Sequence, residues 1–127
     1  MKVGDYVRTK EFGINKVKWF DNEEPILENG FTALQSSGYK FSPNIIDLIE
    51  VGDLIRIEYY SLRYEERVTR LFEVTFKDKK YINLNNSKCD FMLIDGDFNK
   101  SDKELEPIIK TIVTKEQFSC MEYKIGE

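Results

Sequence analysis

The amino-acid sequence repeats a short segment of itself, and this repeat constrains the fold more than any other feature. Residues 3–8 read Val-Gly-Asp-Tyr-Val-Arg, and residues 51–56 read Val-Gly-Asp-Leu-Ile-Arg. Glycine relaxes the backbone at a turn, and the aspartate side chain can accept hydrogen bonds from nearby main-chain N–H groups. The apolar residues that follow predict that each copy begins a β-strand. The repeat therefore predicts two small β-units in tandem.

Length and composition are those of a folded protein. A chain of 127 residues makes one ordinary domain or two very small modules that share a core. Hydrophobic residues make up 41% and aromatic residues 13% of the chain, which is enough for a sizeable core. The formal net charge is −4, whereas a general binder of the phosphate backbone is normally basic. We therefore expect a mildly acidic surface, which puts general binding of nucleic acid at a disadvantage without excluding it.

The sequence carries no signal for a membrane or for secretion. Its apolar runs are all far shorter than the roughly 18 residues of a membrane-spanning helix. The N-terminus reaches Gly4 and Asp5 at once, so it lacks the apolar stretch of a secretory signal. Two cysteines, Cys89 and Cys120, do not imply a disulfide framework and fit a reducing compartment. We expect a cytoplasmic protein with no membrane partner.

The chain contains no histidine. This excludes Ser–His and Cys–His nucleophile pairs, His-ligated zinc and an imidazole general base. Two cysteines are too few for an all-thiolate zinc site within one chain. We therefore expect a protein that is not an enzyme and that needs no cofactor or metal.

Turn signals and alternating segments predict a mostly β fold of the α+β class. We predict a first SH3-like β-unit over residues 1–41, a helical connector over 42–50 and a second, larger β-unit over 51–127. The two units alternatively form one compact domain. The connector is predicted from Ser42 and Pro43, a helix-start signal, and a short C-terminal helix from a capping box at residues 114–117. Small, strongly bent barrels of the SH3 type are the simplest way to close such short strands.

An acidic segment near residue 100 has the spacing of a calcium loop. Asp95, Asp97, Asn99 and Glu106 occupy positions 1, 3, 5 and 12 of such a loop. Lys100, however, occupies the position where a calcium loop needs glycine, and a predicted strand rather than a helix precedes the segment. The sequence therefore predicts a solvated acidic loop and no metal site.

Tyrosines and arginines cluster in the second predicted unit. Tyr60, Arg63 and Tyr64 are of the types that dominate protein–protein hot spots, and the same types also stack on bases and pair with phosphates. Because Tyr59 and Tyr60 are adjacent in an alternating strand, one of them is expected in the core. Neighbouring glutamates, including Glu65, largely neutralise the arginines. Packing with surface ion pairs, protein binding and nucleic-acid binding all remain open for this cluster.

We select protein binding as the working interpretation. The predicted contact residues are Tyr60, Arg63, Tyr64 and Glu65, in the connection between two strands, where binding residues concentrate. Asp95 and Asp97 are expected to add charge complementarity to a basic partner.

Three segments carry a resemblance to known proteins. Residues 2–9 (Lys-Val-Gly-Asp-Tyr-Val-Arg-Thr), 42–53 (Ser-Pro-Asn-Ile-Ile-Asp-Leu-Ile-Glu-Val-Gly-Asp) and 112–118 (Ile-Val-Thr-Lys-Glu-Gln-Phe) resemble small phage and prophage proteins of low-GC Gram-positive bacteria. The resemblance implies a small, non-enzymatic accessory protein of a mobile element. Several proteins of this size and genomic setting are anti-CRISPR inhibitors.

Two functions from different classes follow. The first is a phage-encoded protein that inhibits a nucleic-acid-binding CRISPR effector nuclease by stoichiometric contact in the cytoplasm of the host bacterium. The alternative is a KOW-like pair of SH3 modules that contacts RNA or the transcription and replication machinery. Steeply salt-dependent binding of RNA or DNA would distinguish the second from the first.

Overall fold

The structure, a computed structural model, describes residues 1–32, 38–116 and 123–125, which form a mostly β fold. Strands contain 54% of these residues and short helical turns 7%. The predicted β-dominated class is thus confirmed, whereas the predicted C-terminal helix lies largely outside the described residues. The strands are β1 (Tyr6–Thr9), β2 (Gly13–Asp21), β3 (Glu24–Leu27), β4 (Tyr39–Ser42), β5 (Leu54–Ser61), β6 (Glu66–Lys77), β7 (Tyr81–Asn85), β8 (Asp90–Ile94), β9 (Asp97–Phe98), β10 (Ile108–Val113) and β11 (Tyr123–Lys124).

These strands form two sheets. The four-stranded sheet has the order β3-β2-β1-β4, and the seven-stranded sheet has the order β11-β10-β5-β6-β7-β8-β9. One of the two sheets is curled into a half-barrel. Within the described residues, neither of the 3-10 helices, Ile45–Leu48 and Asp102–Leu105, has the length and apolarity needed to cross a membrane.

Contacts along the chain divide the structure into two units. The first comprises the described residues of Met1–Ile49 and Val113–Tyr123, and the second comprises those of Glu50–Ile112 and Lys124–Glu127. Each unit contains one copy of the repeated Val-Gly-Asp segment. Each copy is followed by a meander of three antiparallel strands, β1-β2-β3 in the first unit and β5-β6-β7 in the second.

The first Val-Gly-Asp segment is a turn closed by its own aspartate. Gly4 has φ +94°, in the region that favours glycine. The Asp5 carboxylate accepts a hydrogen bond from the Lys2 N–H (2.9 Å), and the Asp5 N–H donates to the Lys2 carbonyl (3.0 Å). Gly4 and Asp5 also bond the neighbouring strand: Gly4 N–H donates to the Val17 carbonyl (2.9 Å), and Val17 N–H donates to the Asp5 carbonyl (2.8 Å).

The second segment repeats each of these bonds. Gly52 has φ +99°, and the Asp53 carboxylate accepts from the Glu50 N–H (2.8 Å), while Asp53 N–H donates to the Glu50 carbonyl (3.1 Å). Gly52 N–H donates to the Val74 carbonyl (2.9 Å), and Val74 N–H donates to the Asp53 carbonyl (2.9 Å). The sequence-based prediction that both copies begin equivalent strands is therefore confirmed.

The equivalence extends through the next strand to a register shift. In both meanders, the valine that hydrogen-bonds to the turn is paired with a buried leucine of the next strand. The register of the two strands then shifts at the residues that follow this pair. Such a bulge bends its strand and increases the local twist. The pairs are Val17–Leu27 followed by Trp19–Ile26 in the first copy, and Val74–Leu84 followed by Phe76–Asn83 in the second.

The two copies differ in the length of the first hairpin. The turn aspartate and the bonded valine are 12 residues apart in the first copy (Asp5 to Val17) and 21 apart in the second (Asp53 to Val74), as their numbers show. The second hairpin is therefore nine residues longer. The additional residues lengthen β5 and β6 at the end of the hairpin that carries the loop at residues 62–65.

The first unit has a small core and a buried cation. Val7, Val17 and Leu27 form the core, with Met1 and Phe20 packed against it. Beside it, the Arg8 side chain is only 4% exposed. Its Nη1 donates to the Leu48 carbonyl and its Nη2 to Glu116 Oε2, each over 2.9 Å. Both bonds compensate the desolvation of the guanidinium.

The predicted connector contains the 3-10 helix Ile45–Leu48. Ser42 ends β4 instead of capping the helix, and Asn44 is the N-cap, its side chain accepting a hydrogen bond from Ile46 N–H (3.1 Å). The Ser42 hydroxyl donates to the Asp47 carboxylate over 2.6 Å. The Ser-Pro signal therefore marks this segment, but the helix begins later and spans four residues.

The core of the second unit is aromatic. Phe72 and Phe91 are buried and meet edge to face with ring centroids 5.2 Å apart. Tyr59 contacts both rings edge to face, at 6.2 and 5.2 Å, and Phe98 contacts Phe91 at 5.7 Å. Such pairs stabilise a core by about 0.5–1.5 kcal/mol beyond the burial of their area. These contacts hold the long β5–β6 hairpin onto β8.

The substitution Asp53→Ala tests the turn. Asp53 is 0% exposed, and its loss leaves the Glu50 N–H without an acceptor, so we expect a decrease of about 1–3 kcal/mol in the free energy of unfolding. Asp5→Ala should act in the same direction. Asp53→Asn keeps an acceptor oxygen and should retain more stability than the alanine variant. Urea unfolding followed by circular dichroism measures these differences, and equal stability of Asp53→Ala and wild type would contradict the assigned role.

Candidate binding groove

The β5–β6 hairpin places tyrosines on both of its faces. Along β5, Tyr59 and Ser61 share the face of the buried Ile57, and Tyr59 pairs with Val68 of β6. Tyr60 lies on the opposite face, where it pairs with Arg67 and is exposed. Of the two adjacent tyrosines, Tyr59 is the one on the core face, where it is partly buried and its ring contacts Phe72 and Phe91.

The loop at the end of this hairpin exposes large side chains. Leu62 is 75% exposed and Tyr64 49%. The Arg63 guanidinium lies over the Tyr64 ring, 5.5 Å from its centroid. The loop is fixed by the Tyr64 N–H, which donates to Ser61 Oγ (3.3 Å), and by Glu65, which takes φ +53°. An apolar side chain and an arginine–tyrosine pair are thus held together at the tip of two paired strands.

A groove of about 260 Å³ lies beside this loop. All of its lining residues belong to the second unit. Its apolar surface comes from the hairpin, from β8 and from the 3-10 helix before β10. The apolar and aromatic side chains are Tyr59, Leu62, Tyr64, Val68, Phe91 and Leu105.

The charges of the groove are mostly positive. Arg63, Arg70 and Lys88 line it, and among the described residues no carboxylate forms an ion pair with any of them. Asp90 is the acidic residue of the lining, and its carboxylate accepts a hydrogen bond from the Asn85 side-chain amide. The groove therefore has a net positive charge in a chain whose total charge is −4.

Nearby charges outside the groove are paired. Arg67 Nε lies 3.2 Å from Glu58 Oε2, and Arg67 Nη2 donates to the Glu106 carbonyl over 2.8 Å. Arg67 Nη1 also lies 3.7 Å from Glu106 Oε2. The expected neutralisation of arginines by neighbouring glutamates is thus found at Arg67, on the opposite face of the hairpin from Arg70.

The Tyr59 hydroxyl is a perturbed titratable group of the groove. The Cys89 thiol donates a hydrogen bond to it, with Sγ and Oη 3.6 Å apart. Burial, and to a lesser extent the neighbouring Cys89, raise the pKa of Tyr59 from 10.0 to about 12, while the Arg70 charge lowers it. The phenol is therefore neutral over the physiological range and can act there as a hydrogen-bond donor or acceptor.

The structure brings together only some of the predicted contact residues. Tyr60, Arg63 and Tyr64 line the groove, and Glu65 occupies the same loop without lining it. Asp95 and Asp97 are not among the lining residues and belong to the β8–β9 hairpin.

Three carboxylates in the acidic segment make local contacts. Asp97 lies 2.8 Å from Lys103 Nζ, and that hydrogen bond holds the pKa of Asp97 below its ordinary value. The Asp102 carboxylate accepts from the Met92 N–H of β8 over 2.8 Å, and Glu106 contacts Arg67. Within the part of the chain that the structure describes, no three acidic, cysteine or histidine residues are placed to hold a metal ion.

Lys88, Cys89 and Leu105 are groove residues that the sequence analysis does not predict. Lys88 and Cys89 come from the β7–β8 turn and Leu105 from the 3-10 helix Asp102–Leu105. The pairing of β6 with β7 and of β7 with β8 brings Lys88 and Cys89 near the β5–β6 hairpin, and the contact of the 3-10 helix with β5 brings Leu105 there. The exposure of Leu62 could have been predicted from the sequence, because a leucine in a short, charged connection between two strands has no core face to occupy.

Comparison with known proteins gives no match to a family model, to a curated protein or to a solved structure.

The raised pKa of Tyr59 predicts a pH dependence of stability. Because the pKa in the folded state is about 12 and the ordinary value is 10.0, the neutral phenol stabilises the fold fully below pH 10. That contribution is lost as the pH rises from 10 towards 12. The free energy of unfolding should therefore fall between about pH 9 and about pH 11 in the wild type, and it should fall by less in Tyr59→Phe. Cys89→Ala should reduce it less, because Cys89 is the smaller cause.

Urea unfolding of the three proteins at the two pH values provides the measurement. An unchanged pH dependence in Tyr59→Phe would show that another group controls alkaline stability.

Proposed function

We propose that this chain is a non-enzymatic protein that binds another protein through the loop at residues 62–65 and the adjoining groove. The observation that carries the proposal is the exposure of Leu62 and Tyr64 beside Arg63 on a rigid hairpin. Tyrosine and arginine are the residue types enriched in interface hot spots. A loop fixed by paired strands also loses little conformational entropy when it binds.

The size of the groove is compatible with side chains of a protein partner. Sites for small molecules and cofactors usually occupy about 300–1,000 Å³. The groove, at about 260 Å³, lies near the lower end of that range and has room for one or two side chains of a partner. Residues around it then exclude water from the contact, as they do around a hot spot.

We propose further that the partner is a CRISPR effector nuclease and that the chain is a phage-encoded inhibitor acting in the host cytoplasm. This step rests on the resemblance of residues 2–9, 42–53 and 112–118 to small phage and prophage proteins. As part of the same proposal, the two units are SH3-like and residues 42–50 connect them, although the contacts along the chain assign the described residues of 113–123 to the first unit and not to the expected second unit over 51–127. The repeated bulged meanders support that description, because bulges provide the bending that a small barrel needs.

One observation favours a second candidate, an SH3-like module that binds single-stranded RNA. Exposed tyrosines that can stack on bases lie beside Arg63, Arg70 and Lys88, which form no ion pairs with the described residues. Against it, the chain has net charge −4, and Glu58, Glu65 and Glu66 flank the hairpin. We rank protein binding first because a phosphate backbone that follows this surface passes several carboxylates.

The proposed inhibition is tested directly with purified, guide-loaded effector nucleases of several types. One equivalent of the protein should abolish target cleavage by one of them, since a stoichiometric inhibitor needs no turnover. The same samples, run with single-stranded RNA and DNA at increasing salt, test the second candidate. Cleavage by every effector at about 10 μM protein, roughly tenfold above a micromolar Kd, would contradict the CRISPR proposal. Salt-sensitive binding of RNA alone would favour the second candidate.

The double substitution Arg63→Ala/Tyr64→Ala tests the loop as the contact. We expect it to weaken binding to the inhibited effector by about 2 kcal/mol or more. The melting temperature should stay nearly unchanged, because both side chains are exposed at the loop. Lys80→Ala/Tyr81→Ala is a matched control, since Lys80 lies over the exposed Tyr81 ring (5.6 Å) at the β6–β7 turn. Equal affinity of the two double variants would place the interface elsewhere.

A further inference from the structure

We propose that the groove recognises an acidic segment of its partner, in which an aromatic or aliphatic side chain is flanked by carboxylates. This inference rests on the proposed protein-binding function and adds the chemistry of the occupant. It reverses the expectation that the chain meets a basic surface through acidic residues.

The first argument is the charge of the lining. Arg63, Arg70 and Lys88 come from three different positions, the hairpin loop, β6 and the β7–β8 turn, and converge on one groove. Arg67, on the opposite face of the same hairpin, is paired with Glu58 and Glu106. The three groove cations thus differ from it in having no ion pair within the described structure. A carboxylate placed among them would gain charge-assisted hydrogen bonds, which are about twice as strong as neutral ones.

The second argument is the apolar surface between these cations. Val68, Phe91 and Leu105 line the groove together with the ring of Tyr59. An apolar side chain that enters removes this surface from water, at a gain of about 25 cal/mol per Å². The Tyr59 hydroxyl, neutral at physiological pH, is available there to a carboxylate or a peptide carbonyl. An apolar side chain with carboxylates on either side can pack against the apolar part of the lining while its neighbouring carboxylates pair with the cations.

The third argument concerns Asp95 and Asp97, which were expected to attract a basic partner. Asp97 pairs with Lys103, and neither residue lines the groove. In the groove itself, Asp90 is held by the Asn85 amide and is outnumbered by the three cations. Charge complementarity at this site therefore favours a negative segment over a positive one.

A random peptide library displayed on phage provides the test. The full-length protein is the bait, and Arg63→Ala/Tyr64→Ala removes peptides that bind elsewhere. We expect the enriched peptides to place Asp or Glu beside Phe, Tyr, Trp or Leu. The most enriched peptide is then synthesised with a fluorescent label, and its affinity is measured by anisotropy.

Neutral substitutions then test the charges one at a time. Arg70→Gln and Lys88→Gln should each lower the peptide affinity about fivefold or more, and added salt should lower it as well. Lys79→Gln, which removes an exposed lysine from the β6–β7 turn, should change it by less than about twofold. If Arg70→Gln does not fold, the exposed Lys88 decides the result. Enrichment of basic or uncharged peptides, no enrichment at all, or affinity independent of both cations would overturn the inference.

The outcomes separate this inference from the function on which it rests. If the protein inhibits an effector and the loop variant abolishes inhibition, but no acidic peptide is enriched, the proposed function holds and the acidic occupant is wrong. If acidic peptides bind the groove while no effector is inhibited, the occupant is supported and the CRISPR proposal is wrong. Displacement of the bound peptide by a single-stranded RNA oligonucleotide would overturn the protein-segment assignment in favour of nucleic acid.

Discussion

Both halves of this chain depend on a carboxylate that closes a turn. Asp5 and Asp53 each accept a hydrogen bond from the N–H three residues earlier, and each also bonds through its main chain to a valine of the neighbouring strand. This arrangement fixes the register of the first hairpin in each unit. Because a one-residue slip would move every side chain to the opposite face, the two turns decide which residues enter each core.

The local part of the fold was predictable from sequence for this reason. Gly4-Asp5 and Gly52-Asp53 contain the chemistry of their turns within a few residues, and alternation predicts the strands that follow. Ser42 does not cap the 3-10 helix because it ends β4, two residues before the N-cap Asn44, and its hydroxyl donates to Asp47 and accepts from the Asn44 N–H. Where a local preference competes with a tertiary contact, the outcome depends on the fold and cannot be predicted from the neighbouring residues alone.

The candidate groove was predictable only on the side that the hairpin contributes. Tyr60, near the end of β5, is close in sequence to Arg63 and Tyr64 in the loop that follows, so their association follows from the strand pattern. Lys88 joins them through the pairing of distant strands and Leu105 through the packing of its 3-10 helix on β5, neither of which a local pattern contains. The nine additional residues of the second hairpin carry the loop, whereas the shorter first copy keeps only the turn and the meander.

The bonds of Arg8 have a consequence for the order in which the chain folds during synthesis. Arg8 bonds the carbonyl of Leu48, 40 residues later, and the carboxylate of Glu116, 108 residues later. The second of these partners is synthesised long after β1, so the contact that joins β1 to Glu116 forms late. The β1–β2 hairpin, in contrast, can form as soon as Asp21 has been made. The seven-stranded sheet also gains strands late, because β10 and β11, at residues 108–113 and 123–124, extend it on the side of β5. Both units therefore draw contacts from residues that follow position 107.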